Sequence, residues 1–156
     1  MSQPSNVPEP QLDHLYQEVI LDHNKKPRNY KVIPQPQLHS HGLNTLCGDE
    51  YFLFLNTSPE GKVTDIGFQG SGCAISKASA SIMTTLVKDK TIEEVKILKD
   101  SFLDFMLKDG ITASKEKIGR LKMFEGVKEF PVRVKCATLI WRTLEDALNN
   151  IHERKE

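Results

Sequence analysis

Four side chains in this sequence have the donor chemistry to hold a soft divalent metal ion: Cys47, Asp49, Cys73 and Cys136. Three thiolates and one carboxylate make a four-coordinate, tetrahedral set suited to zinc. Gly48 separates Cys47 from Asp49 and gives the backbone freedom to aim both side chains at one point. The charge sum leaves a formal excess of two negatives over a divalent ion. Arg133 and Lys135 flank Cys136, and Lys77 lies one helical turn beyond Cys73, so all three are candidate compensating cations.

Each of these residues also has a plainer reading. A free cysteine is often a small buried hydrophobe, and no Cys-x-x-Cys pair is present to favour a metal. Asp49 alone reads as an Asx turn leading into a strand. Arg133, Lys135 and Lys77 alone read as solvated. His39 and His41, two apart in a proline-containing stretch, read as exposed loop histidines, and His14, His23 and His152 have no partner at ligand spacing. The sequence has no phosphate-binding glycine loop, no Ser/His/Asp order and no His-Glu-x-x-His stretch.

The elements that must position these groups follow from the periodicity. Residues 1–11, with three prolines among small polar residues, read as a disordered lead-in to a single domain over 12–156. Leu12, Leu15, Tyr16, Val19 and Ile20 share a helical face, and Pro27 stops that helix. Residues 27–46 read mostly as loop, with room for an edge strand. The apolar run 51–55, the turn signal Ser-Pro-Glu-Gly at 58–61 and the alternation from Val63 to Gly70 predict a β-hairpin. After Gly72 the pattern becomes helical and rich in small side chains. Thr91 and Glu94 have capping-box spacing for a helix that Gly110 breaks, and a shorter helix is expected from Ser114 to Phe124.

Pro131 suits the first position of a last helix, with Val134, Ala137, Trp141, Leu144, Leu148 and Ile151 on its core face. The fold class is therefore α+β: a small antiparallel sheet of about three strands with helices packed on one side. All three cysteines fall at element ends: Cys47 before a strand, and Cys73 and Cys136 in the first turns of helices, where free N–H groups favour a thiolate.

The bulk numbers narrow the function classes. With 21 Lys+Arg and 21 Asp+Glu the 156-residue chain has zero formal net charge, which argues against a dedicated nucleic-acid binder. No apolar run approaches the roughly 18 residues of a membrane span. The first residues lack the charge and apolar core of a signal peptide. Three cysteines, an odd number, fit a reducing compartment, so a cytoplasmic location is expected.

Four ordered segments resemble one family: the run 24–29 (Asn-Lys-Lys-Pro-Arg-Asn), Cys47-Gly48-Asp49, the run Gly70 to Ser79, and the run Phe130 to Ala137. Together they resemble the SufU-type branch of the IscU-like proteins of iron–sulfur cluster assembly. The resemblance extends over nearly all of Leu12 to Ile151. Lys135 stands where the IscU scaffolds carry a histidine before the third cysteine, and the stretch between Cys73 and Cys136 is longer than theirs. The chaperone-binding motif of those scaffolds is not matched at 130–135.

The resemblance implies a zinc ion held by Cys47, Asp49, Cys73 and Cys136. It implies a sulfurtransferase or sulfur carrier that accepts persulfide sulfur at Cys47 from a pyridoxal-phosphate cysteine desulfurase of the SufS type. In that family picture a desulfurase histidine displaces the Cys47 thiolate from zinc. The sulfur then passes to an assembly complex of the SufBCD type. The competing expectation is an assembly scaffold that holds a transient iron–sulfur cluster on the same thiolates, and a third is a zinc ion that only staples the fold.

Overall fold

The computed structural model describes residues 14–108 and 117–155, with the side chains of His14, Leu15, Arg154 and Lys155 left aside. The lead-in 1–11, Leu12 and the expected break at Gly110 lie outside the described residues. Helix α1 spans His14–Lys25, followed by strands β1 (Leu38–Asn44), β2 (Asp49–Thr57) and β3 (Val63–Ser71). Helices α2 (Ala74–Val87) and α3 (Ile92–Leu107), a 3₁₀-helix (Gly119–Val127), α4 (Pro131–Leu148) and a short strand β4 (Glu153–Lys155) complete the order.

The sheet has the order β3-β2-β1-β4. Its first three strands are antiparallel neighbours, as expected, while β4 pairs in parallel with His41–Leu43 of β1. No local pattern predicts β4, and residues 27–46 are expected to be loop or an edge strand. Instead β1 lies between β2 and β4. Its seven residues include only two aliphatic ones, so apolar alternation could not announce it, and its ladder to β2 defines it instead.

Along β2 the side chains alternate as the pleat requires. Asp49, Tyr51, Leu53 and Leu55 are buried on one face, while Glu50, Phe52 and Phe54 face outward. The buried face meets α4 and α2, and α2 is in turn flanked by α1. Its small residues Ala78, Ser79, Ala80 and Ser81 are buried, which lets both neighbours approach closely. Ser79 donates its hydroxyl to the Ala137 carbonyl at 2.6 Å and accepts the Trp141 indole N–H at 3.2 Å, tying α2 to α4.

Thr91 and Glu94 form the expected capping box on α3, and Pro131 occupies the first turn of α4. Phe102 of α3 packs between Trp141 and Phe124, with ring centroids 5.0 and 5.9 Å away. Each such fully buried ring contributes about 1.5–3 kcal/mol. This cluster seats α3 and the 3₁₀-helix on α4. Of the shorter helix expected over 114–124, residues 114–116 lie outside the described residues, and the described part from Gly119 on is 3₁₀ and runs to Val127. Ile151 departs from its expected place: α4 ends at Leu148, Asn150 adopts φ 58°, and Ile151 is 47% exposed.

The segment after α1 runs beside β3. The Phe68 N–H donates to the Asn29 carbonyl, and Tyr30 Oη both donates to the Gly70 carbonyl at 2.7 Å and accepts its N–H at 3.2 Å. Arg28 and Asn29 anchor the same segment to α2: the Arg28 N–H donates to Ser81 Oγ, and Asn29 Nδ2 to Thr84 Oγ1. The 24–29 run is thereby a positioning element. His23, in the last turn of α1, is also held there. It is buried, with Nδ1 2.7 Å from Ser81 Oγ.

Candidate metal centre

Three elements converge at one end of the sheet. The turn 45–48 between β1 and β2 carries Cys47, and Gly48 turns the chain there at φ +73°, a conformation that disfavours any side chain. Asp49 opens β2 and is fully buried, because the inward face of the strand begins at that residue. Cys136 lies in the second turn of α4 and is also fully buried. Ligand atoms of Cys47, Asp49 and Cys136 all lie within 4.8 Å of one another, and the Cys47 and Cys136 sulfurs are 3.2 Å apart.

Cys73 stands at the edge of this trio. It is the N-cap of α2, and its sulfur accepts the Ser76 N–H at 3.4 Å. Its own N–H donates to Asp49 Oδ1 at 3.0 Å. The four expected residues are therefore brought to one place, three in mutual ligand range and the fourth hydrogen-bonded to Asp49.

The electrostatics distinguish the thiols. The neighbouring Cys136 thiol draws the Cys73 thiol down to about 6, against burial and the nearby Asp49, with the Ser76 N–H helping. The same contact, with burial, pushes Cys136 upward. Burial pushes Cys47 up, while the charge of Arg133 works the other way. Of the expected compensating cations, Arg133 thus acts on the site. Lys135 is exposed, and the Lys77 ammonium sits 5.2 Å from the centre of the Tyr30 ring.

One atom tests whether a metal fits. Asp49 Oδ2 is buried and has no hydrogen-bond partner among the described residues. A buried carboxylate oxygen without a partner is strongly disfavoured unless something electropositive meets it. A thiophilic divalent ion among Cys47, Cys136 and Asp49, with Cys73 adjacent, satisfies that oxygen and the thiols together. The donor set therefore fits zinc.

Sequence reasoning missed three residues around the site. Tyr51 is two residues beyond Asp49 and so on the same face of β2. Ser76 is one helical turn beyond Cys73. Gly72 is needed for space: a Cβ there would lie 2.5 Å from Asp49 Oδ1 and 2.7 Å from Tyr51 Oη. The spacing from the two ligand candidates was the available signal. The histidines form no second centre among the described residues. His39 stacks on His152 at 4.2 Å, and His41 Nε2 lies 2.7 Å from Glu50 Oε2.

This α+β domain gathers three cysteines and a buried aspartate at one end of its antiparallel strands β1 to β3, the arrangement of a thiolate metal-site protein. Residues 15–137 match the NifU-like N terminal domain, and the chain belongs to that family. It is 40% identical over 134 residues to the zinc-dependent sulfurtransferase SufU of Bacillus subtilis (strain 168), covering 86% of this chain and 89% of that protein. It is 38% identical over 137 residues to the iron-sulfur cluster assembly scaffold protein IscU of Streptococcus pyogenes serotype M1, covering 88% and 84%. A crystal structure described as a putative iron-sulfur cluster assembly scaffold protein for the SUF system, from Fervidobacterium islandicum AW-1, superposes with TM-score 0.78 at 34% identity. That match covers 87% of this chain and 98% of the other.

Proposed function

We propose that this protein works in iron–sulfur cluster assembly as a zinc-dependent sulfur relay, with Cys47 as the sulfur acceptor. The observation that carries the reading is the inequality of the three thiols. Cys136 is fully buried, and Cys73 is fixed as a helix cap, whereas Cys47 sits on a glycine turn beside Leu46, which is 65% exposed. Cys47 and Cys73 are both half-buried, and of the two Cys47 stands on the turn while Cys73 is held as a helix cap.

Cys47, Asp49, Cys73 and Cys136 would hold the zinc, which when bound keeps thiolates deprotonated at neutral pH and adds no redox chemistry of its own. Transfer needs no external oxidant. The Cys47 thiolate attacks the terminal sulfur of a cysteine desulfurase persulfide, forming a new S–S bond as the donor's S–S bond breaks. The donor cysteine leaves as a thiolate and Cys47 carries the persulfide. Arg133, whose charge favours the Cys47 thiolate, supports the attacking form. The sulfur then goes to an assembly complex of the SufBCD type, in the cytoplasm. None of the described helices is long and apolar enough to cross a membrane.

The test is persulfide mapping after incubation with a SufS-type desulfurase and cysteine. Label on Cys47 in zinc-loaded protein supports the relay; label confined to Cys73 or Cys136 removes Cys47 from the role. A scaffold holding a transient cluster on the same thiolates is the second reading, favoured by the likeness to IscU proteins. Brown protein with visible absorption after anaerobic reconstitution would favour it.

A further inference from the structure

The geometry points to Tyr51 and Ser76 as positioning residues for the metal centre: a buried hydroxyl relay that sets the orientation of Cys73 and, through it, of Asp49. This inference rests on the metal-centre reading above and adds two residues to it that are not ligands.

Hydrogen-bond counting fixes the direction of the relay. Ser76 Oγ is 3.0 Å from the Cys73 carbonyl oxygen, which can only accept, so the single hydroxyl proton of Ser76 is committed there. Tyr51 Oη lies 2.8 Å from the same Oγ and must therefore be the donor. The chain of donation runs from Tyr51 through Ser76 to the Cys73 carbonyl. Tyr51 is fully buried and Ser76 is 1% exposed, so water does not stand in for either bond.

The same serine holds Cys73 at a second point, because its backbone N–H donates to the Cys73 sulfur. Cys73 in turn donates its N–H to Asp49 Oδ1, which leaves Oδ2 as the oxygen free to meet a cation. Three polar contacts thus fix the N–H, carbonyl and sulfur of one residue. The relay is also space-limited, since a Cβ on Gly72 would press on Ser76 Oγ, Asp49 Oδ1 and Tyr51 Oη at once. Groups that orient metal ligands by hydrogen bonding usually contribute about 10-fold to 100-fold in metal affinity.

The experiment measures zinc affinity by competition with a chromophoric chelator. It also records the visible and near-ultraviolet spectrum of the cobalt(II)-substituted protein, for wild type, Tyr51→Phe, Ser76→Ala and the double variant. The expected result is zinc binding weakened about 10-fold or more in each single variant, with reduced thiolate-to-cobalt charge-transfer intensity. The double variant should lose little beyond Ser76→Ala, because Tyr51 acts through Ser76. The melting temperature of the metal-free proteins is the structural control, and Ser76→Ala carries the test should Tyr51→Phe fold poorly. Wild-type affinity and spectra in both single variants would overturn the relay while leaving the metal centre standing. Full additivity in the double variant, or a loss matched by metal-free destabilisation, would also overturn it. A wild-type chain that binds no stoichiometric zinc would instead remove the metal centre, and the relay with it.

Discussion

Asp49 Oδ1 accepts the backbone N–H of Cys73 at 3.0 Å, while the other oxygen of the same carboxyl is buried without a partner. One side chain is thus split between holding the α2 N-terminus and facing the thiols. Asp49→Asn keeps an acceptor for Cys73 but replaces the free oxygen with an N–H donor. Zinc affinity should fall at least about 10-fold, with little change in the metal-free melt. Asp49→Ala should add a stability loss of about 1–3 kcal/mol in the metal-free protein, from the orphaned Cys73 N–H. Wild-type zinc affinity in Asp49→Asn would remove Asp49 from the ligand set.

Gly72→Ala tests crowding at the same point. The added methyl would meet Asp49 Oδ1 and Tyr51 Oη well inside normal contact distance. Gly72 itself is exposed, so the methyl displaces site groups without filling the core. Chelator competition should show weakened zinc binding at least as large as that of Ser76→Ala. An unchanged affinity would mean that the site relaxes freely around the methyl.

Metal removal should lower stability. A ligand that binds only the folded state at 1,000 times its dissociation constant contributes about 4 kcal/mol. Differential scanning calorimetry with and without a strong chelator should show a clear drop in melting temperature. Cys47→Ala should retain most of the metal-free stability, because that residue lies on a turn, yet accept no sulfur from the desulfurase. An unchanged melt on chelation would take the metal out of the folding argument.

His23 gives the fold a pH dependence. Burial, followed by the Arg28 and Arg120 charges, pulls its pKa from 6.5 down to about 4. Between those values the folded chain binds fewer protons than the unfolded one, so stability rises with pH. The contribution is complete above about pH 6.5, falls as the pH is lowered, and levels off below about 4, spanning up to about 3 kcal/mol. Urea unfolding of metal-free protein from pH 7 to pH 4 should show a shallower loss in His23→Gln than in wild type. Parallel curves would remove His23 as the source.

Thr91→Ala serves as a remote control. It removes the hydroxyl that accepts the Glu94 N–H at the start of α3 and leaves the Thr91 N–H bond to the Glu94 carboxylate in place. About 1 kcal/mol of stability should be lost with zinc affinity unchanged.

Much of this was legible before any coordinates. The hairpin, the capping box and Pro131 are local signals, each written within a few residues, and the structure contains all three. The cysteines also read correctly as element-end residues, because Gly48, Gly72 and Pro131 mark those ends. What stayed hidden depends on distant partners. His23 is buried by Ser81, 58 residues away, and Lys77 turns toward Tyr30. Strand β1 is defined by its neighbour β2 more than by its own side chains, and β4 by a parallel pairing with β1 that no local pattern announces. Cys73 is set apart from the other thiols by the Ser76 N–H, a contact that spacing could suggest only as proximity.

The residues that run beside β3 bear on aggregation. Alternate N–H groups along that strand, those of Ile66, Phe68 and Gly70, are taken up by the Asp65 carboxyl, the Asn29 carbonyl and Tyr30 Oη. An exposed strand would offer the same groups as a template for another chain, the starting point of edge-to-edge polymerisation. Here the donors are spent within the molecule, and Tyr30 already bridges Phe68 in parallel along that edge. Lateral growth of the sheet is opposed on that side, which leaves the end that gathers Cys47, Asp49, Cys73 and Cys136 clear of edge pairing.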